Sequence, residues 1–533
     1  MKAWFAILLT LTLMASPPVK ALTPDNTLVV AISLNGIISF DPAESFETVS
    51  NSCLASLYQG LVASDRNQPT QLNPDLALAW REGHDGRSLI FTLDPNAVFA
   101  SGNPVLADDV IYSLTRAVKL NKTPVFILNE LGWMSANIDG QFRKIDDHQL
   151  EIRWTSDIGS ELVLRLLSAS VALIVDSKLV EKHSDSGDFG NQWLRSRSAG
   201  SGSYQIRHYL PQQALLLESN PYARRQPALA QVILKDVADP SVRRLLLLQG
   251  DVDVAFDLGA DQFSALENQP GINVNLASGA KIYYLGFNTR SSTAPFLGQP
   301  AFWQAARWLV DYQGIANRLL KRQFRVHQNF LPLGFDGAAM EKPFRLDVDK
   351  ARSILHDGGI APGSRFTLLV ANQPPYVEVA QALQDSFARA DIYIDVQTVV
   401  ESELWTRMRR GRFQAVFTYW GPDYIDSSSN ASAFVLNQPD TPGTLAARLG
   451  WVIPELSRLT NAAAAQRDPQ TRRDIYLQLQ QAVRENSPFV VMLQGNRLVA
   501  VRNTILNVRQ SIANSMLYFD EIIKVKAETP ASP

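Results

Sequence analysis

From residue 28 onward, short apolar runs of strand type alternate with segments of helical periodicity, and nothing repeats at a period of 20–50 residues. Leu28-Val29-Val30-Ala31-Ile32 is nearly all apolar, the pattern of a strand buried on both faces. Residues 88–93 alternate instead, with Leu89, Phe91 and Leu93 on one side, and follow the turn signal Asp85-Gly86, which predicts a hairpin strand. In residues 107–114, Asp108 and Asp109 fall in the first turn of a predicted helix, where carboxylates complement exposed N–H groups. Val110, Ile111 and Leu114 then share one face. Helical spacing returns at Phe302, Ala305, Ala306, Leu309 and Val310, and at Ala351, Ile354 and Leu355 ahead of the stop Gly358-Gly359. Such interleaving predicts a mixed α/β fold and argues against a solenoid or propeller. The 533 residues supply core for about three to four domains at ~150 residues each. Pro, Gly and Ser are dispersed, so no long flexible linker is expected between them.

The N-terminus sets the expected compartment. Met1-Lys2 is followed by a mostly apolar run over residues 3–15, shorter than the ~20 residues a membrane span takes. Pro17-Pro18 and the small-x-small pattern Val19-Lys20-Ala21 predict a signal peptide, residues 1–21, cleaved after Ala21. No cysteine ends the apolar run, so the lipid-attachment signal is missing and a free, unlipidated periplasmic chain is expected. No second run of about 18 apolar residues follows, and residues 527–533 read as a disordered tail.

Charge and motif content remove several classes of function. With 50 Lys+Arg against 52 Asp+Glu, nothing favours a nucleic-acid or anionic-membrane partner. The single cysteine, Cys53, precludes an intramolecular disulfide and any Cys-based zinc or iron–sulfur site. There is no G-x-S-x-G elbow and no phosphate-cradling P-loop; Gly200-Ser201-Gly202 lacks a dinucleotide fingerprint's third glycine and reads as a turn. His84, His148, His183, His208, His327 and His356 are scattered without an H-x-x-x-H pair. Asp108-Asp109 and Asp146-Asp147 are adjacent in sequence, so their side chains diverge, and Asp251-Val252-Asp253-Val254-Ala255 reads as a strand edge rather than an acid/base pair. No catalytic set, metal site or cofactor is expected.

The motifs that remain follow one order. Asn73-Pro74-Asp75-Leu76-Ala77 through Trp80, then Asp85-Gly86, Phe91-Thr92-Leu93, Val98-Phe99, Gly102-Asn103-Pro104 and Ala107-Asp108-Asp109-Val110 to Ser113-Leu114 with Arg116 resemble the signature region of bacterial solute-binding protein family 5. These are the peptide, nickel and related receptors of ABC importers. Gly200-Ser201-Gly202-Ser203-Tyr204 is similar to the family's G-[ST]-G-P-Y turn, with Ser203 in place of proline. Leu248 to Ala255 resembles its L-x-x-G-x-x-D segment, and Leu285-Gly286-Phe287-Asn288-Thr289 its L-x-F-N-T crossover strand. Gln304-Ala305 with Asp311 falls on its R-Q-A helix, with Trp303 where arginine is usual. Asp347, Asp349-Lys350-Ala351, Leu355 and Gly359 match a further helix, and Trp420-Gly421-Pro422-Asp423-Tyr424-Ile425-Asp426 matches W-x-x-D-Y-x-D-P.

The resemblance implies a two-lobed periplasmic binding protein of the type II-like, three-domain large class, with mixed sheets and a hinge between lobes. Domain I would comprise residues 22–55, 191–282 and 493–533 (the last including the tail), domain II residues 56–190, and domain III residues 283–492. Crossovers are expected near 280–288 and 488–497, whose long apolar runs can bridge two cores. The implied function is capture of a short peptide between the lobes by a monomer, and delivery to an inner-membrane ABC permease, with no enzymatic step. A non-peptide solute (an amino-acid conjugate, opine-like compound or chelated nickel) is the alternative within the family, and a secreted hydrolase the alternative from another class. In peptide-binding members the first aspartate of W-x-x-D-Y accepts the ligand's α-ammonium, which here implies Asp423. Trp420, Tyr424 and Tyr376 are able to stack on side chains or a cation, and Asn288 completes the expected ligand-binding set. Asp423 and Asp426 also fit simple caps of the loop after Gly421-Pro422. The dipeptide-binding subgroup carries a carboxylate-holding arginine where Pro374 stands, a departure that leaves longer peptides or a non-peptide cation open. Arg407, Arg409, Arg410 and Arg412 read as a solvated helix end.

Overall fold

A computed structural model describes residues 23–526 apart from 322, 440, 442, 511 and 513–517. The expected signal peptide and the 527–533 tail lie outside the described residues.

An eleven-stranded mixed sheet runs through the molecule. At its centre lie two unusually long strands, Ile272–Phe287 and Phe489–Arg502, paired antiparallel. One half of this pair extends through Val254–Phe256 to Thr27–Ile32, Gln231–Asp236, Ala214–Ser219 and Tyr204–Leu210. The other half extends through Ala415–Trp420 to Arg365–Ala371 and Tyr393–Val399. The expected crossovers thus fall on strands that run further toward residues 272 and 502 than the apolar pattern alone indicates. The extra residues are partly exposed, including Leu276 and Asn275, so hydrophobicity does not mark them.

Between Ser278↔Asn496 and Ile282↔Gln494 the register of the long pair shifts. Gly279 and Gly495 face each other there. A Cβ on Gly279 would stand 2.9 Å from the Gly495 carbonyl oxygen, a contact only glycine avoids. Buried Gln494 clamps the irregularity. Its Nε2 donates to the Gly279 carbonyl at 2.7 Å and its Oε1 accepts from the Leu333 N–H at 2.8 Å.

Each half-sheet has its own core. Tyr284, Phe287, Phe302, Phe434 and Phe489 anchor one, built wholly from residues between 282 and 493. Leu28, Val30 and Ile32 pack with Tyr204, Val232 and Phe519, whereas Val29 and Ala31 face Leu247, Ala255 and Phe263 on the opposite side. The first strand is therefore buried on both faces, as its continuous apolar run requires. A third core, with Phe91, Leu114, Trp133 and Ile152, covers a four-stranded antiparallel sheet of Ala77–Glu82, Ser88–Leu93, Gln149–Arg153 and Phe142–Asp146. The predicted helices are Ala107–Leu120, Pro300–Trp308 and Val348–Asp357. In the first, Asp109 accepts from the Leu106 N–H, closing the helix start.

One expectation is corrected. Val254–Phe256 is interior, flanked by Thr27–Ile32 and Phe489–Arg502, so Asp253 is no edge residue. It is fully buried, accepts from the Val29 N–H at 2.9 Å, and pairs with Lys524 at 3.1 Å. The alternation of charge marks the entry to a short strand, where Asp253 serves the first strand's backbone and Lys524 and not an exposed face.

The third core is tied to the first strand's sheet by a buried bidentate pair. Both terminal nitrogens of the Arg116 guanidinium donate to Asp41 at 2.7 Å, and Asn191 Nδ2 donates to the same carboxylate at 2.7 Å. Replacing Arg116 by Met strands a carboxylate with no exposed surface. It should lower stability by about 3–5 kcal/mol, read as a lower urea midpoint.

Candidate functional site

The strand Ala415–Trp420 ends at Gly421-Pro422, and Asp426 starts the helix Ser427–Val435. The intervening residues are positioned from both ends. Asp426 accepts from the Ser428 N–H at 2.8 Å and takes two hydrogen bonds from Arg472, at 2.9 and 2.6 Å. This guanidinium and the helix N–H hold its carboxyl below the usual range despite burial. The Asp423 N–H donates to Ser429 Oγ at 3.1 Å, which fixes the backbone. The Asp423 carboxylate, by contrast, makes no hydrogen bond or ion pair among the described residues, and burial alone pushes its pKa up to about 7. Two aspartates three positions apart therefore differ in kind: Asp426 caps the loop, and Asp423 is left uncompensated.

Asp423, Tyr424 and Ile425 form one wall of a cavity of about 480 Å³. The facing wall carries Ser201-Gly202-Ser203 and Tyr58. The turn reaches this wall because Gly200 and Gly202 lie against the end of the helix Thr48–Leu57, where an added Cβ would come within 2.1 Å of Leu57 O or 2.3 Å of Ser56 O. Carboxylates and guanidinium groups both line the cavity: Asp75, Asp423 and Asp520 with Arg66, Arg224 and Arg225. Asp75, which accepts from Gln59 and from the Gly60 N–H at 3.0 Å, is raised to about 6 by burial. Tyr424 Oη donates at 2.8 Å to Glu130, at the end of the helix Val125–Asn129. Burial and then the Asp423 and Asp426 charges push Glu130 up to about 7. This hydrogen bond joins the segment 421–425 to the core over the four-stranded sheet, in which Tyr424 itself is buried.

A second cavity, of about 430 Å³, lies at the other end of the same segment. Gly421 and Pro422 line it, with Gly279, Ala280 and Lys281 at the register shift and Asn496 and Arg497 from the partner strand.

The structure brings together only part of the expected set. Asp423 and Tyr424 line a cavity. Trp420 ends its strand packed on the core of residues 282–493, and its Nε1–H is buried without a partner among the described residues. Tyr376, at the start of the helix Tyr376–Ala388, is buried behind the second cavity in an aromatic cluster with Tyr283, Phe417 and Tyr419, at 6.3, 6.0 and 6.5 Å between ring centres. Asn288 lies elsewhere. Its Nδ2 donates to Phe413 O at 2.8 Å and its Oδ1 accepts from the Arg290 N–H at 3.1 Å, beside a separate recess. The reason is the strand's length: seven residues beyond Lys281 at ~3.3 Å each carry it ~23 Å away. Arg407 pairs with Glu403 at 2.8 Å, as a solvated helix end would. Lys281, Asp75 and Glu130 were not among the expected site residues. The signal for Lys281 is a lone charge in the otherwise apolar GAKIYYLGF run.

Residues 71–442 match the bacterial extracellular solute-binding proteins, family 5 Middle. The chain belongs to that family. Among curated relatives, the probable D,D-dipeptide-binding periplasmic protein DdpA of Escherichia coli (strain K12) is 27% identical over 519 residues, covering 96% of each chain. The dipeptide-binding protein DppE of Bacillus subtilis (strain 168) is 23% identical over 508 residues, covering 90% of this chain and 89% of its own. Of solved structures, HbpA2 from Haemophilus parasuis aligns with a TM-score of 0.79 at 20% identity, covering 94% of this chain and all of that one. DppA from Helicobacter pylori in complex with the peptide STSA aligns at 0.77 and 18%, covering 94% and 98%. The fold is thus the mixed α/β, two-lobed periplasmic binding protein fold. No helix among the described residues is long and apolar enough to cross a membrane.

The raised carboxyls have a thermodynamic signature. Asp423, Glu130 and Asp75 hold a proton more tightly folded than unfolded, so between about pH 4 and 7 the folded state binds more protons, and stability from these groups declines as pH rises through that window. Ligand-free protein should therefore gain melting temperature on going from pH 7.5 to 5.5 through this contribution. Melting curves of Asp423→Asn at the two pH values should show a smaller gain than wild type.

Proposed function

We propose that this chain is the periplasmic receptor of an ABC importer, capturing short peptides between its lobes and passing them to an inner-membrane permease, as a monomer and without chemical conversion of the solute. Family membership and the printed names of the relatives support a peptide cargo. The observation that carries the reading to this chain is Asp423: an uncompensated carboxylate on a cavity wall, with a second pair of buried acids nearby and no cation of its own. A ligand ammonium placed there gains more than it would at a surface, because the surroundings are poorly screened. The division into domain I (22–55, 191–282, 493–533), domain II (56–190) and domain III (283–492) is part of the proposal, supported by separate cores. The glycine-broken register at 279 and 495 is its hinge.

The fold also accommodates other cargo: AgaA was solved in complex with agropinic acid and NikZ with Ni(L-His), and they align with TM-scores of 0.73 and 0.75. Neither cavity here is lined by a histidine, which favours a peptide over a histidine-chelated metal.

Calorimetric titration with L-Ala-L-Ala and D-Ala-D-Ala tests the reading, the second because a relative is named for D,D-dipeptides. One stereoisomer should bind and be recovered intact; recovery of free alanine would mean a hydrolase. Asp423→Asn should weaken binding by ~2–5 kcal/mol and should raise the apo melting temperature at pH 7.5, where the wild-type carboxylate is ionised against its burial. Affinity should also peak between about pH 7, below which Asp423 takes up a proton, and about pH 8, above which a peptide α-amino group loses its own. In Asp423→Asn the acid limb contributed by residue 423 should vanish.

A further inference from the structure

The four-stranded sheet shares no strand with the eleven-stranded one, and its core is tied to the first strand's side of the molecule by the buried Arg116–Asp41 pair. Residues from the opposite body nevertheless reach it. Tyr424 is buried within that core and Ala464 packs against it. Hydrogen bonds accompany both. Tyr424 Oη donates to Glu130 at 2.8 Å, and the Gly159 N–H, just ahead of the helix Ser160–Leu167, donates to the Ala464 carbonyl at 3.1 Å. Arg467 Nη2 then donates to the Gly86 carbonyl, also at 3.1 Å. The turn 464–467 lies close over Gly159, where an added Cβ would stand 3.4 Å from Gln466 O and 3.6 Å from Ala465 O.

This contact is built to part. Beside it a recess of about 400 Å³ stays open between Trp80, Glu82 and Leu164 on one side and Gln466 and Arg467 on the other, whereas permanent interiors are close-packed. Rotation about residues 279 and 495 would swing residues 283–492 against the first strand's sheet and whatever is fixed to that sheet. The contacts at 86, 130 and 159 therefore form on closing and break on opening. They also adjoin the site: Tyr424 follows Asp423 directly, and Ser428 Oγ lies 3.1 Å from Tyr424 Oη while Ser429 Oγ accepts from the Asp423 N–H.

We propose that the four-stranded domain is the clasp of this receptor, gripping Tyr424 and the turn 464–467 as the lobes close, so that closure has a contribution independent of the solute. This rests on the hinged-receptor reading above. A receptor whose closed form is only fractionally populated binds more weakly by that fraction, so loosening the clasp lowers affinity without touching the cavity.

Gly159→Pro and Arg467→Ala test the clasp in full mature protein freed of bound solute by unfolding and refolding. Neither residue lines the cavity of Asp423. Gly159 has φ −74°, which proline adopts, so the substitution removes one N–H and sets a ring methylene against the Ala464 carbonyl. Small-angle scattering of the empty protein should give Gly159→Pro a larger radius of gyration than wild type, with a smaller change of the same sign for Arg467→Ala. Whichever Ala-Ala stereoisomer binds should bind Gly159→Pro about 2- to 10-fold more weakly, the worth of one hydrogen bond. An unchanged radius overturns the proposal, as does an unchanged affinity where wild type binds; a lowered melting temperature alone would make the contacts merely structural. Should Gly159→Pro not fold, the surface variant Arg467→Ala decides by the same readings. Wild type that binds a dipeptide beside variants of unaltered radius and affinity removes the clasp and leaves the receptor reading standing. If wild type binds neither stereoisomer, expansion of the variants upholds the clasp and only the dipeptide cargo falls.

Discussion

The pairing of Ile272–Phe287 with Phe489–Arg502 is the constraint from which the rest follows. Strands of 16 and 14 residues are too long to belong to one half-sheet, so each serves two, and the chain must change cores twice while keeping one ladder. The ladder survives because the larger of its two irregularities falls where glycines oppose each other and a buried glutamine hydrogen-bonds the Gly279 carbonyl. Lys281, within that irregularity, lies beside Gly421. The same device that lets the two cores share a sheet thus brings a cation to the start of the segment that carries Asp423.

The buried charges of the molecule differ in their partners. Asp426 and Arg472, Asp41 and Arg116, and Asp253 and Lys524 are buried pairs, each compensated and each joining pieces of the fold. Asp423, on a cavity wall, has no such partner among the described residues. A carboxylate left alone is costly, and under the proposed function that cost on a cavity wall is stability given up for binding.

Much of this was legible in the residues. The first strand announced burial on both faces by its unbroken apolar run, the helix Ala107–Leu120 by its acidic first turn, and the segment 420–426 by a motif whose first aspartate proved to be the exposed-to-cavity one. Asn288 was not legible, because a motif shared along one strand says nothing of which end reaches the cleft, and ~23 Å separates them. Asp253 was misread because alternation of charge does not reveal that Lys524, 271 residues away, neutralises it. Lys281 and Glu130 escaped for the same reason: each gains meaning only from long-range neighbours, Gly421 and Tyr424, that no local pattern connects.

The central claim is that the uncompensated carboxylate at 423 exists for a ligand ammonium. Native purification followed by denaturation and mass spectrometry of the released solute addresses it most directly. The account predicts an intact short peptide with a free amino terminus. A solute without a cationic nitrogen, released in stoichiometric amount, would contradict it.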